Sequence, residues 1–193
     1  MSTVKSKKLQ VGVDSTESNN FTIYQPATPD GTLRIGVGNA DSPTEVGRFT
    51  NAGLTAKNPY SCRVEASTAT SCSNNTTTTV ILDNVIFDDN NDFNTSTYTY
   101  TAPVAGVYLF SAAADINSSS AQCRQGTRLY ANSQSYWAMT GVNGNNNNVV
   151  NTQVIKLDAG DTVTVAIYHD SGATRTTTAN QNTFFSATLL HTT

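Results

Sequence analysis

The chain is poor in charge. Asp, Glu, Lys and Arg make up 13% of its 193 residues, and 11 basic against 14 acidic side chains leave a net charge of -3. No basic stripe gathers along it, which argues against a nucleic-acid partner. No apolar run approaches the ~20 residues of a membrane-spanning helix, so no membrane insertion is expected. No window repeats apolar residues at i, i+3, i+4 and i+7 over three turns, so almost no helix is expected. The two histidines, His169 and His191, lie at no ligand spacing from a cysteine. Neither is accompanied by a nucleophile motif such as Gly-x-Ser-x-Gly. Paired carboxylates occur only where turn chemistry explains them. The chain is therefore read as a non-enzyme without a cofactor.

The three cysteines, Cys62, Cys72 and Cys123, are odd in number. Lys5, Lys7 and Lys8 precede only Leu9-Gln10-Val11, too short for the apolar core of a signal peptide. Synthesis in a cytosol with reduced thiols is expected, with a Cys62–Cys72 pair across a hairpin left open.

What the chain has in abundance is Thr, Asn and Ser, the make-up of a β surface with long polar loops. The stretch 98–116 organises the rest. Pro103 and Gly106 mark a corner; beyond it, period-two alternation puts Tyr108, Phe110, Ala112, Ala114 and Ile116 on one face. Val107, Leu109, Ser111, Ala113 and Asp115 take the other. The first face belongs in a core, and the second, apolar only at its start, calls for cover by another subunit.

Residues 1–57 form a segment of short apolar islands (Leu9 to Val13, Phe21 to Tyr24, Leu33 to Val37) between Asp-, Asn-, Pro- and Gly-rich turns, too little for an independent core. Either an attachment or shaft segment or a floppy tail fits this pattern. Residues 58–193 carry longer strands. Residues 67–79 read as an exposed loop, and Val80 to Phe87 as one strand. Asp88, Asp89 and Asp92 make an acidic turn whose plain reading is self-capping and whose sharper reading is calcium. The 141–148 run reads as a loop, 157–161 as a hairpin turn around Gly160, and 183–190 as the last strand. The count suits an antiparallel all-β sandwich.

Three stretches, Tyr100-Thr101-Ala102-Pro103-Val104-Ala105-Gly106-Val107-Tyr108-Leu109-Phe110, Leu157-Asp158-Ala159-Gly160-Asp161-Thr162-Val163 and Phe185-Ser186-Ala187-Thr188-Leu189-Leu190, resemble in order the signature motifs of the C1q/tumour-necrosis-factor jelly roll. Ala187 stands where that family has Gly. The resemblance implies a ten-stranded jelly roll assembled as a homotrimer, non-enzymatic and built for recognition. It makes Tyr100, Val107, Tyr108, Leu109, Phe110, Phe185 and Leu189 core or trimer-interface candidates.

In place of a collagen stalk stand Thr32-Leu33-Arg34-Ile35-Gly36 and Arg48-Phe49-Thr50-Asn51-Ala52-Gly53-Leu54, which resemble pieces of tailed-bacteriophage fibre and appendage proteins. The two likenesses together imply a virion protein made in the host cytoplasm. Its N-terminal segment would dock on other virion proteins and its tip would bind a host-surface glycan. A capsid decoration without an obligatory receptor, or a bacterial surface protein, are the alternatives. Candidate contacts are Tyr136, Trp137, Asn143, Asn145, Asn146, Asn147, Asn148, His169, Asp170 and Arg175. Amides suit sugar hydroxyls and exposed rings can stack on a sugar face, although Tyr136 and Trp137 are equally candidates for core or interface.

Overall fold

The computed structural model describes residues 8–51, 53–56, 60–116, 122–143 and 147–193, and only the backbone at 54–56, 122, 142, 143 and 147. The chain divides into two compact units, Met1–Pro59 and Tyr60–Thr193.

The first unit is an antiparallel meander of β1 (Lys8–Val11), β2 (Phe21–Tyr24), β3 (Leu33–Val37), β4 (Thr44–Thr50) and β5 (Gly53–Ala56). One 3-10 turn, Glu17–Asn19, interrupts it. Asn20 pins the first turn: its amide nitrogen donates to the Asp14 carbonyl at 2.8 Å, and its amide oxygen accepts from the Asp14 N–H. One face of the sheet is polar. There Glu45 bridges Arg34 at 3.1 Å and Arg48 at 2.6 Å, which relieves two arginines that stand directly opposite one another across β3 and β4. The other face carries Leu9, Val11, Phe21, Ile23, Leu33 and Phe49, all exposed. Among the described residues of this unit no large apolar side chain is buried.

The second unit is a two-sheet sandwich with antiparallel pairing throughout. Its strands are β6 (Ser61–Glu65), β7 (Ser71–Cys72), β8 (Thr78–Thr79), β9 (Asn84–Asp88), β10 (Phe93–Asn94), β11 (Thr99–Thr101), β12 (Gly106–Ile116), β13 (Gln122–Ala131), β14 (Gln134–Asn143), β15 (Asn147–Leu157), β16 (Thr162–His169), β17 (Arg175–Thr176) and β18 (Phe184–Thr192). One sheet runs β15-β12-β18-β6-β9; the other runs β10-β11-β16-β13-β14, with β8 pairing on β16.

The alternation along β12 is as the sequence predicts: Tyr108, Phe110, Ala112, Ala114 and Ile116 are wholly buried. Between the sheets, Tyr100 of β11 meets Phe110 and Phe185, each with ring centroids 5.8 Å away. Phe93 of β10 meets Phe185 at 5.5 Å. Tyr100, Tyr108, Phe110 and Phe185 are thus core residues, and Leu189 packs against them half-buried. At the corner, the Tyr108 hydroxyl donates to the Val104 carbonyl at 2.6 Å. Gly106 is required for close approach and not for a bend, because a Cβ there would lie 2.5 Å from the Leu189 side chain and 2.7 Å from the His191 carbonyl.

Several sequence expectations need correction. Residues 80–83 are not strand, yet Val80 and Leu82 are fully buried, so the expected single strand is two short ones (β8 and β9) around a buried connector. The 67–79 stretch is not simply an exposed loop: β7 pairs with β17, and Thr70 and Cys72 are buried. The 141–148 run is mostly strand, since β14 continues to Asn143 and β15 begins at Asn147. The acidic turn spends its carboxylates locally: Asp88 accepts from the N–H groups of Asp92 and Phe93, and Asp89 from the Ser61 hydroxyl. Among the described residues no group of three or more His, Cys, Asp or Glu side chains is placed to hold a metal. Cys62, Cys72 and Cys123 are free and buried; burial pushes the Cys72 thiol up to about 11 and raises Cys62 further.

Replacing Phe110 by Ala removes the ring at the centre of the cross-sheet cluster. Truncating a buried Phe costs about 3–5 kcal/mol, so denaturant unfolding of Phe110→Ala is expected to show a lower midpoint at unchanged m, equivalent to an unfolding free energy reduced by that amount, with secondary structure retained.

Candidate functional site

Two outward faces of the sandwich carry its distinctive chemistry. The first is the outer face of the β12 sheet. Leu109 stands between Val154 of β15 and Thr188 of β18; two residues on, Ser111 stands between Thr152 and Ser186. Leu109 is 37% exposed, Val150 53% and Val154 60%. The Ser111 and Thr152 hydroxyls hydrogen-bond at 3.2 Å, so the middle of this face is apolar or neutral. Val107 is half-buried at its near end.

The far end, polar in the sequence, is covered by the chain itself. Ala113 and Asp115 are buried, because the 177–183 segment folds over them: the Thr178 N–H donates to the Asp115 carbonyl at 2.8 Å and the Asp115 N–H donates to the Thr183 hydroxyl. Burial raises the Asp115 carboxyl above the usual carboxylate range, with a hydrogen bond from Thr178 acting against it, and Oδ1 has no partner.

The second face is the outer side of the β16-β13-β14 region. Register sets Arg128 of β13 between Ala166 and Trp137, Gly126 between Tyr168 and Met139, and Tyr130 between Thr164 and Ser135. The Arg128 guanidinium lies over the Tyr130 ring at 4.0 Å and over the Trp137 ring at 4.3 Å. Trp137 in turn meets Tyr168 edge-on, centroids 6.0 Å apart. Trp137 is 38% exposed and Met139 46%. Arg128 Nη2 donates to the Ser135 hydroxyl at 2.7 Å.

The sequence-predicted contacts are dispersed. Trp137 belongs to this second face, whereas its neighbour Tyr136 points the other way and packs half-buried against the core. His169 is wholly buried and is not a surface contact. Its Nε2 faces the Cys72 carbonyl at 3.1 Å, which makes Nε2 the protonated nitrogen, and its Nδ1 faces the Ser171 hydroxyl at 3.0 Å. The β7–β17 ladder covers it. Arg175 Nε donates to that same Ser171 hydroxyl, so Arg175 is a structural member of this network.

Asp170 is paired with Arg124, Nε to Oδ2 2.7 Å. Hydrogen bonds from the Arg124 side chain and backbone hold the Asp170 carboxyl below the usual range. Asn148 is exposed, and its amide donates to the Asn182 carbonyl at 2.9 Å. Asn145 and Asn146 lie outside the described residues, as do the side chains of Asn143 and Asn147. Sequence reasoning missed Arg128, Tyr130, Tyr168 and Met139 on this face, and Val150 and Val154 on the first. The signal available was the alternation of β13, which places Arg124, Arg128 and Tyr130 on one side.

A family model described as the C1q domain matches residues 63–190. Among solved structures, the chain is similar to the globular domain of zebrafish complement 1qA (18% identity, TM-score 0.52, covering 70% of this chain and all of that one). It is similar also to murine APRIL (14%, 0.53, 69% and all), and to the Eiger TNF of S. frugiperda (12%, 0.53, 70% and 96%). At these identities the likeness shows the fold alone. No curated protein matches the chain in sequence.

Because the Asp115 carboxyl is raised by burial, the folded chain binds its proton more readily than the unfolded one. The destabilisation is absent below the unfolded value near ~3.9, sets in as pH rises from there through the raised folded value, and is constant above it. Asp115→Asn is expected to raise the Tm at pH 7, with the gain over wild type vanishing at pH 3; a gain that is the same at both pH values would contradict the assignment.

Proposed function

The chain belongs to the C1q family, and from that premise we propose that it is the recognition protein of a tailed-bacteriophage fibre or virion appendage: a homotrimer whose sandwich heads bind a host-surface glycan and whose N-terminal unit docks on other virion proteins. C1q/TNF-like domains are in general trimeric binding modules without enzymatic activity. The observation that carries the reading is the division of labour between the two outer faces. Leu109, Val150 and Val154 present uncharged apolar surface of the kind an obligate subunit contact buries. The Arg128–Trp137–Tyr168 face, by contrast, presents rings and a cation of the kind that anchors a ligand.

Three copies of a weak site on one rigid assembly bind a multivalent surface far more tightly than one copy does. This favours cell-surface recognition over capture of a small soluble molecule. The N-terminal unit supports an attachment role in its own way. Its sheet exposes six large apolar side chains on one face, Leu9, Val11, Phe21, Ile23, Leu33 and Phe49, and balances its charges on the other. A face of that size and chemistry calls for cover by another protein surface.

Purified full-length protein, pre-incubated with host cells, is expected to reduce adsorption of the particle that carries it, as counted by free particles after a fixed time. Unchanged adsorption at saturating protein would overturn receptor binding and leave a decoration role.

A further inference from the structure

We infer that the outer face centred on Arg128 binds the carboxylate of an acidic sugar, a uronic or sialic acid, with the sugar ring lying against Trp137; this rests on the reading of the heads as glycan-recognition modules. Arg34, Arg48, Arg63 and Arg124 are each in an ion pair with a carboxylate. Arg128 has no such pair among the described residues. It has two ring faces and one serine hydroxyl instead.

The Arg128 Nε is buried without any hydrogen-bond partner, and the half-buried side chain has no carboxylate beside it among the described residues. A half-buried guanidinium in contact with two rings and bonded to the Ser135 hydroxyl has lost much of its rotamer freedom before any ligand arrives, which lowers the cost of a well-aligned contact. The group that complements it is a planar carboxylate, which arginine binds through charge-assisted hydrogen bonds.

The neighbouring residues select a sugar over a peptide. Peptides docking on sheets usually add as a strand to a free edge, but Arg128 lies on β13, which is paired on both sides with β14 and β16, so a strand added at the β14 edge would lie one strand away from the guanidinium. Around Arg128 the face offers side chains: the exposed Trp137 ring, the Tyr168 ring set edge-on to it, and the Ser135 and Thr164 hydroxyls flanking Tyr130. Ring faces beside hydroxyls and one fixed cation match a pyranose that bears a carboxylate. Gly126, two residues from Arg128 on this face, leaves room for the Met139 side chain. A Cβ there would fall 2.6 Å from the Met139 side chain, which lies over it.

The test uses the full-length protein with trigalacturonate and 3′-sialyllactose as probes, each also as its carboxyl methyl ester, and poly-aspartate as an acidic non-sugar, followed by calorimetry or NMR line broadening. The expected result is that at least one acidic sugar binds, that its methyl ester binds about ten- to a hundredfold more weakly, and that Arg128→Gln loses the same factor. Arg128→Lys should recover only part of it, because ammonium keeps the charge but not the planar fork. Circular dichroism and Tm of Arg128→Gln, expected to match wild type, establish that the loss is local. If ester and acid bind alike, or Arg128→Gln binds as wild type does, the inference is overturned while glycan recognition stands. Poly-aspartate binding as tightly as the sugars overturns the sugar assignment. Failure of both probes and of a panel of neutral glycans, with adsorption still blocked by the protein, overturns the glycan reading itself.

Discussion

The structure depends on one contact across the sandwich: the Tyr100 ring of one sheet set against Phe110 and Phe185 of the other, with Tyr108 and Phe93 closing the cluster. Large rings at this spacing fill the interior of a two-sheet fold at the density a stable core needs. Because a strand alternates its side chains, the choice of Tyr108 and Phe110 for the inside fixes Val107, Leu109 and Ser111 on the outside. The same step that builds the core therefore decides what the outer face of β12 offers to a neighbour. The corner before it serves the register. Tyr108 ties back to Val104, and Gly106 lets Leu189 and the end of β18 come close.

The two outer faces then diverge because their strands differ in composition, not in architecture. β12 and β15 place Leu109, Val150 and Val154 among hydroxyls, whereas β13, β14 and β16 place Arg128, Trp137 and Tyr168 together by register alone. Solved relatives of 12–18% identity share the scaffold, so chemistry specific to this chain has to be sought in such side-chain constellations and not in the fold.

The core was legible from sequence along β12: Tyr108, Phe110, Ala112, Ala114 and Ile116 are buried as the period-two alternation places them, whereas Ala113 and Asp115, set on the outer face by the same alternation, are buried as well. The site was less legible, for identifiable reasons. His169 looked available, yet it is sealed by β7 against β17, a pairing between residues about a hundred positions apart that no local pattern announces. Asp115 read as the polar end of the outer face, and a loop some sixty residues later covers it. Trp137 reads from sequence as a ring that can stack on a sugar face, but what gives it chemical meaning is Arg128, its cross-strand partner, and register is set by the hairpin and the core rather than by either residue. The apolar islands of the first unit read as short strands, and they are strands. That Leu9, Ile23, Phe21 and Phe49 would share one exposed face follows only once the meander is aligned.

The central claim is that the outer face of β12 is made to be covered by other copies of the chain. The most direct measurement is the molar mass of the purified full-length protein by light scattering at micromolar concentration, compared with Leu109→Asp. Three times the chain mass for wild type, falling toward one for the variant with its circular dichroism unchanged, is the result this account expects. A wild-type monomer, or a Leu109→Asp variant that keeps the wild-type mass, would contradict it.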